Sequence, residues 1–130
     1  MEERVARAQR VGCAVLLVDH AIATRAPMGH LLRGSGYRVY EASDADEALD
    51  LLNSRLEIHV LLTDARVPGS MDGLALAYWV RRTRPAMGVM VVADPDAVPS
   101  LVSEGVLCLI RPLRSSHLLA LLPPPAPETP

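Results

Sequence analysis

A chain of 130 residues, half of them hydrophobic and with a formal charge of −2, is sized for one globular domain with a core of its own. The charge balance gives no electrostatic footprint for nucleic acid. No apolar segment approaches the roughly 18 residues needed to cross a bilayer.

The opening "MEERVARAQR" is charged and has no small-residue cleavage site, so it is read as an N-terminal extension (1–10) and not as a signal peptide. Cys13 and Cys108 lie inside apolar runs and are expected to be buried, reduced thiols, in keeping with a cytoplasmic protein. The domain proper is expected over 11–122. The proline-rich end, 123–130, is expected to be a disordered tail or the stub of a linker.

Five short apolar runs stand out at 11–18, 38–42, 58–63, 89–93 and 106–110. Four are nearly continuous, as parallel strands covered on both faces should be, whereas "YRVYEA" alternates and reads as an edge strand. Stretches of helical length separate them, which gives βαβα order and a parallel α/β sheet. In the first such stretch Pro27 is tolerated only within a first turn, so the helix is placed from about Thr24 to about Arg33, ahead of the turn "RGSG". In the second, Ser43 reads as the N-cap before acids and an apolar stripe. The third starts at Gly73 and stops at Pro85. Its arginines 81, 82 and 84 suit a helix C-terminus, and Tyr78 and Trp79 suit core packing. A fourth, "DPDAVPSLVSEG", holds two prolines and leaves room for two or three turns.

Polar residues collect where the runs end: Asp19 and His20, Asp64, Ala93 with Asp94, and Arg111 with Pro112. In an open parallel sheet ligands bind beyond the carboxyl ends of the strands, where the strand order reverses. With strands in the order 2-1-3-4-5, Asp19 would face Asp64 across that point. Two neighbouring carboxylates repel, and a hard cation such as Mg2+ relieves the repulsion. A carboxylate nucleophile, a cation and a positive side chain (Arg111) are the minimum equipment for an aspartyl-phosphate. The blander reading is that both aspartates are turn or cap residues. No Gly-rich phosphate loop, CxxC pair or GxSxG elbow is present, which disfavours a nucleotide or flavin binder. His30, His59 and His117 share no motif spacing.

Together "LLVDH", "GYRVYEASDADEALDLL", "LLTDARVPGSMDGLALA" and "IRPLRSSHLLALL" resemble the receiver domain of bacterial response regulators over roughly 12–122. The most specific part is "TDARVPGSMDG": an Asp ending the third strand, a proline four residues on, and a following Asp-Gly. It is one residue longer than the commonest form, with Ser70 the candidate insertion, and similar loops occur in α-proteobacterial receivers. The resemblance implies a flavodoxin-like (βα)5 three-layer sandwich with a five-stranded parallel sheet of order 2-1-3-4-5.

It also implies roles. Asp64 aligns with the phospho-acceptor, and Asp19 with the first member of the Mg2+-binding acidic pair. His20 stands where the second acid is expected and is a doubtful ligand. The backbone carbonyl of Arg66 is a further implied metal ligand. Ala93 replaces the hydroxyl that moves on activation, Arg111 replaces a lysine, and Cys108 replaces the aromatic that follows the hydroxyl. An arginine keeps the charge but changes its geometry. Losing the hydroxyl removes a bond worth about 1–3 kcal/mol to a charged group. Imidazole for carboxylate is the most serious change, so Mg2+ binding is expected to be weakened or lost.

Two readings follow. In the first, a single-domain receiver takes phosphate on Asp64 from a histidine kinase or phosphotransfer protein and signals by protein contact, without being an enzyme. The output face would be the fourth helix, fifth strand and fifth helix, at about 95–103, 106–110 and 115–122; a homodimer is compatible with that face. In the second, the chain is a pseudo-receiver, a protein-binding module that needs no phosphate.

Overall fold

Residues 12–97 and 105–125 are described in the computed structural model of the chain. Strands β1 (Ala14–Val18), β3 (Val60–Asp64) and β4 (Gly88–Ala93) form the middle of a five-stranded parallel sheet. The edges are β2 (Arg38–Ala42) and β5 (Val106–Ile110), and the order is β2-β1-β3-β4-β5. The central strands are apolar on both faces because helices cover both. Every residue of β1 is buried, whereas β2 is mostly half-exposed, as its alternating sequence predicts.

Side-chain alternation divides the strands between two core layers. Leu16, Val18, Leu61 and Val91 point to one face, beneath α2 (Ala45–Leu52) and α3 (Gly73–Thr83). Val15, Leu17, Leu62 and Val92 point to the other, beneath α1 (Ile22–Gly34) and α4 (Ser115–Leu121). Each buried leucine contributes about 1.5–3 kcal/mol of transfer free energy. The three layers and the strand order make this a doubly wound, flavodoxin-like α/β fold.

Several local expectations need correction. Helix α1 begins at Ile22, so Pro27 lies in its interior and offers no N–H to the carbonyl one turn back. The early start is held from outside the helix: the Ala21 N–H donates to Asp19 and the Thr24 hydroxyl donates to the same carboxylate. The N-cap of α2 is Asp44, which accepts the Glu47 N–H at 2.8 Å, and not Ser43. Ser43 donates its N–H and hydroxyl to the Glu47 carboxylate, a capping box displaced by one residue. Of the stretch expected to hold a fourth helix only the start is described, as a 3-10 turn at Pro95–Ala97. Residues 98–104 lie outside the described residues, so α4 takes the place of the expected fifth helix.

The proline-rich end starts as part of the folded body. The Tyr37 hydroxyl donates to the Pro123 carbonyl at 2.6 Å, and the Cys13 N–H to that of Pro125 at 2.5 Å. The expectation of disorder therefore fails for residues 123–125. Residues 126–130, like 1–11, lie outside the described residues.

Candidate functional site

Strand β3 ends in Asp64 because "VLLT" is fully buried and the chain then turns into the loop 65–72. That loop is tied at three points. The Ala45 N–H donates to the Pro68 carbonyl at 3.1 Å, Gly69 takes a φ of 116° that favours glycine, and Ser70 donates to Asp46 through its N–H and hydroxyl (3.1 and 2.6 Å). Ser70, the candidate insertion, is thus bound to the start of α2.

The Asp-Gly pair that closes the loop has two separate tasks. Asp72 caps α3, accepting the Ala75 N–H at 2.8 Å. Gly73 lets α3 begin directly against β3: a Cβ there would lie 1.6 Å from the Asp64 carbonyl oxygen.

The Asp64 carboxylate accepts the Arg66 N–H on Oδ1 at 2.9 Å, and Arg111 Nη2 on Oδ2 at 2.6 Å. Its side chain keeps 19% exposure. Arg111 follows β5, and its N–H donates to the Ala93 carbonyl at 2.9 Å, which fixes its backbone to β4. The second prong of its guanidinium, Nη1, lies 3.4 Å from Asp94. Burial would lower the pKa of Arg111, but the hydrogen bond and charge of Asp64, with Asp94 and Asp19 behind, outweigh burial and raise it.

The register that sets Val18 against Thr63 brings Asp19 beside Asp64 one residue later. Both aspartates line one cavity of about 440 Å³. Much of the rest of its lining is apolar, including Pro27, Met28 and Leu31 of α1 and Leu113 of the β5–α4 connection. The Asp19 carboxylate, however, is turned into its own loop. Oδ1 accepts the Ala21 N–H at 3.0 Å and Oδ2 accepts the Thr24 hydroxyl. Behind it, Arg25 Nη1 donates to the Asp19 carbonyl at 2.6 Å, and Arg25 is itself held by Glu41, which Arg33 also grips.

Of the remaining expected positions, His20 is exposed, Ala93 is buried at the end of β4, and Cys108 is half-buried with its thiol pKa pushed up by burial. Arg66 contributes its N–H to Asp64.

Receiver domains generally bind Mg2+ at their acidic pocket, so the donor set can be tested for it. A hard dication needs oxygen donors with free, converging lone pairs. Here Asp19 holds a helix start, Asp64 holds Arg66 and Arg111, and His20 offers nitrogen in place of oxygen. Among the described residues no three His, Cys, Asp or Glu side chains are placed to hold a metal ion. As arranged, the residues do not fit the ion.

Reading the sequence alone passed over Thr24, Arg25 and Asp46, and it gave Asp94 no role. A Thr three residues after the Ala that follows Asp-His was a visible capping signal. The bond from Asp46 to Ser70 spans 24 residues and had no local signal.

Comparison with known proteins places the chain. The model of the response regulator receiver domain matches residues 15–122. The chain is 31% identical over 110 residues to the two-component response regulator ORR3 of Oryza sativa subsp. indica, covering 80% of this chain and 83% of that protein. It is also 31% identical over 110 residues to a cyclic di-GMP phosphodiesterase of Thermotoga maritima, covering 82% of this chain but 29% of the relative. Among solved structures, the signal receiver domain of an HD domain-containing protein from Pseudomonas fluorescens Pf-5 superposes with a TM-score of 0.75 at 29% identity. That match covers 85% of this chain and 90% of that one. The chain belongs to the response regulator receiver domain family, the phosphoryl-accepting modules of two-component signalling.

Proposed function

We propose that the chain accepts a phosphoryl group on Asp64 from a histidine kinase or phosphotransfer protein and signals by protein contact. The observation that carries this reading is the pairing of Asp64, partly exposed at the end of the central strand, with the Arg111 guanidinium at 2.6 Å. An Asp64 oxygen attacks phosphorus, the bond from phosphorus to the donor's nitrogen or oxygen breaks, and the donor leaves with that electron pair. Arg111 is placed to bond the phosphoryl oxygens that replace the carboxylate charge. Output by contact is supported by apolar exposure on the late elements: Leu107 (48%) and Ile110 (38%) of β5 and Leu121 (38%) of α4. The part of the expected face at 98–104 lies outside the described residues. No helix among the described residues is long and apolar enough to cross a membrane, which agrees with a cytoplasmic setting.

A second reading, the phosphate-independent pseudo-receiver, is favoured by Ala93. Its buried methyl group offers no hydroxyl to bond a phosphoryl oxygen, and Cys108 is not the aromatic that would follow it. Intact-mass measurement after incubation with acetyl phosphate separates the two. A phosphoryl adduct that vanishes in Asp64→Asn supports the receiver. No adduct from acetyl phosphate or from kinase partners leaves the binding module.

A further inference from the structure

Three carboxylates, Asp19, Asp64 and Asp94, stand at the carboxyl ends of β1, β3 and β4, where they repel one another unless a cation intervenes. One arginine already intervenes. The fork of Arg111 reaches Asp64 at 2.6 Å and Asp94 at 3.4 Å, bonding the first with one prong and the second with the other. Arg25 donates only to the Asp19 backbone carbonyl and is ion-paired with Glu41, so it adds no free charge to the cluster. Arginine cannot lose its proton in a protein, so the charge of Arg111 cannot be withdrawn by deprotonation. A dication approaching Asp64 meets the guanidinium charge and a carboxylate whose two oxygens each already have a donor.

We propose that Arg111 is the resident counter-ion of this carboxylate cluster, standing in for the divalent cation, and that its fork closes the cluster to Mg2+. The obstacle is then the guanidinium, more than the missing acid at His20. This holds whether or not Asp64 accepts phosphate, so a failed phosphorylation assay leaves it standing.

The test is a MgCl2 titration of the 15N-labelled full chain at constant ionic strength, following the amides of Asp19, Asp64 and Arg66. Broadening by Mn2+ at the same amides is a second readout. The wild type should show only linear, non-saturating shifts into the tens of millimolar. Arg111→Gln, which frees Asp64 and Asp94, should bind saturably, about tenfold or more tighter. Arg111→Lys, which keeps the charge but loses the fork, should fall between them and stands in should Arg111→Gln fail to fold. His20→Asp alone, with Arg111 still on Asp64, should gain less than Arg111→Gln. Saturable Mg2+ binding by the wild type overturns the proposal. So does an Arg111 variant, folded by its amide spectrum, that gains nothing, or a His20→Asp variant that gains as much as Arg111→Gln.

Discussion

Substituting Gly73 by alanine tests how α3 is seated on the site. The added Cβ would lie 1.6 Å from the Asp64 carbonyl oxygen, 2.8 Å from its carbon and 2.9 Å from Thr63 Oγ1. Carbon and carbonyl oxygen settle at about 3.3 Å, so one backbone must retreat by about 1.7 Å. The strand cannot yield cheaply: β3 is paired on both sides, and the next N–H, of Ala65, donates to the Val92 carbonyl at 2.8 Å. Nor can the helix, whose Leu76, Ala77 and Val80 are fully buried. Overpacking of this kind costs about 1–3 kcal/mol, and lifting the helix start would add about 1 kcal/mol for the Asp72 cap. The helix preference for alanine returns at most about 1 kcal/mol, which leaves a net loss of about 1–3 kcal/mol. For a domain of this length that lowers Tm by about 4–11 °C. Urea unfolding followed by Trp79, which lies on α3, should show a lower midpoint at unchanged slope. Gly34 is the control. It ends α1 with open space around it and no positive φ, so Gly34→Ala should stabilise by about 0.4–1 kcal/mol. A Gly73→Ala protein within about 0.5 kcal/mol of wild type, or a shift of the same sign at both positions, would refute the reasoning.

Tyr37→Phe should cost about 0.5–1.5 kcal/mol by removing the bond to Pro123, and it should speed hydrogen exchange at the Cys13 amide, which depends on the same strap. The Ser43 N–H, and then its hydroxyl, hold Glu47 below its ordinary pKa of about 4.5. A lowered folded pKa stabilises fully above the unfolded value and is lost as pH falls through the folded one. Glu47→Gln should therefore flatten the loss of stability below about 4.5, by a small amount because Glu47 is exposed; equal pH profiles for the two proteins would count against the capping box. Burial raises the thiol pKa of both Cys13 and Cys108, so each stays a neutral thiol at ordinary pH. A disulfide-exchange reagent should react slowly, with half-buried Cys108 ahead of buried Cys13; rapid reaction of both would contradict the burial.

How far the sequence could be read depended on whether a signal was local or shared between distant segments. The strands 38–42 and 106–110 match at both ends, because an apolar run bounded by polar residues already marks where burial begins and stops. The placement of Asp64 and Arg111 at strand ends follows from the same pattern, and the parallel order brings them together. The start of α1 was misread because Pro27 alone was weighed. The bonds from Ala21 and Thr24 to Asp19 offset part of what a proline interior costs. At residues 123–125 proline richness does not imply disorder, because Tyr37 and Cys13 donate to two of the carbonyls there.

Asp19 shows where the pattern runs out. Topology settles which backbones are neighbours, and it does set Asp19 beside Asp64. What a carboxylate bonds is decided by competition among donors within reach. An aspartate two residues before a helix N-cap finds the N–H of that cap at almost no cost in chain entropy, whereas sharing an ion with Asp64 requires both carboxylates to be held converging. Thr24 adds a hydroxyl donor to the local side of that competition. On the other side Arg111 takes Asp64, and its planar fork holds a second acid from a separate nitrogen at a fixed spacing, where a compact ammonium would have to share one nitrogen between the two. Charge counting treats arginine and lysine as equal at this position. The two prongs of the fork, one on Asp64 and one toward Asp94, are the reason they are not.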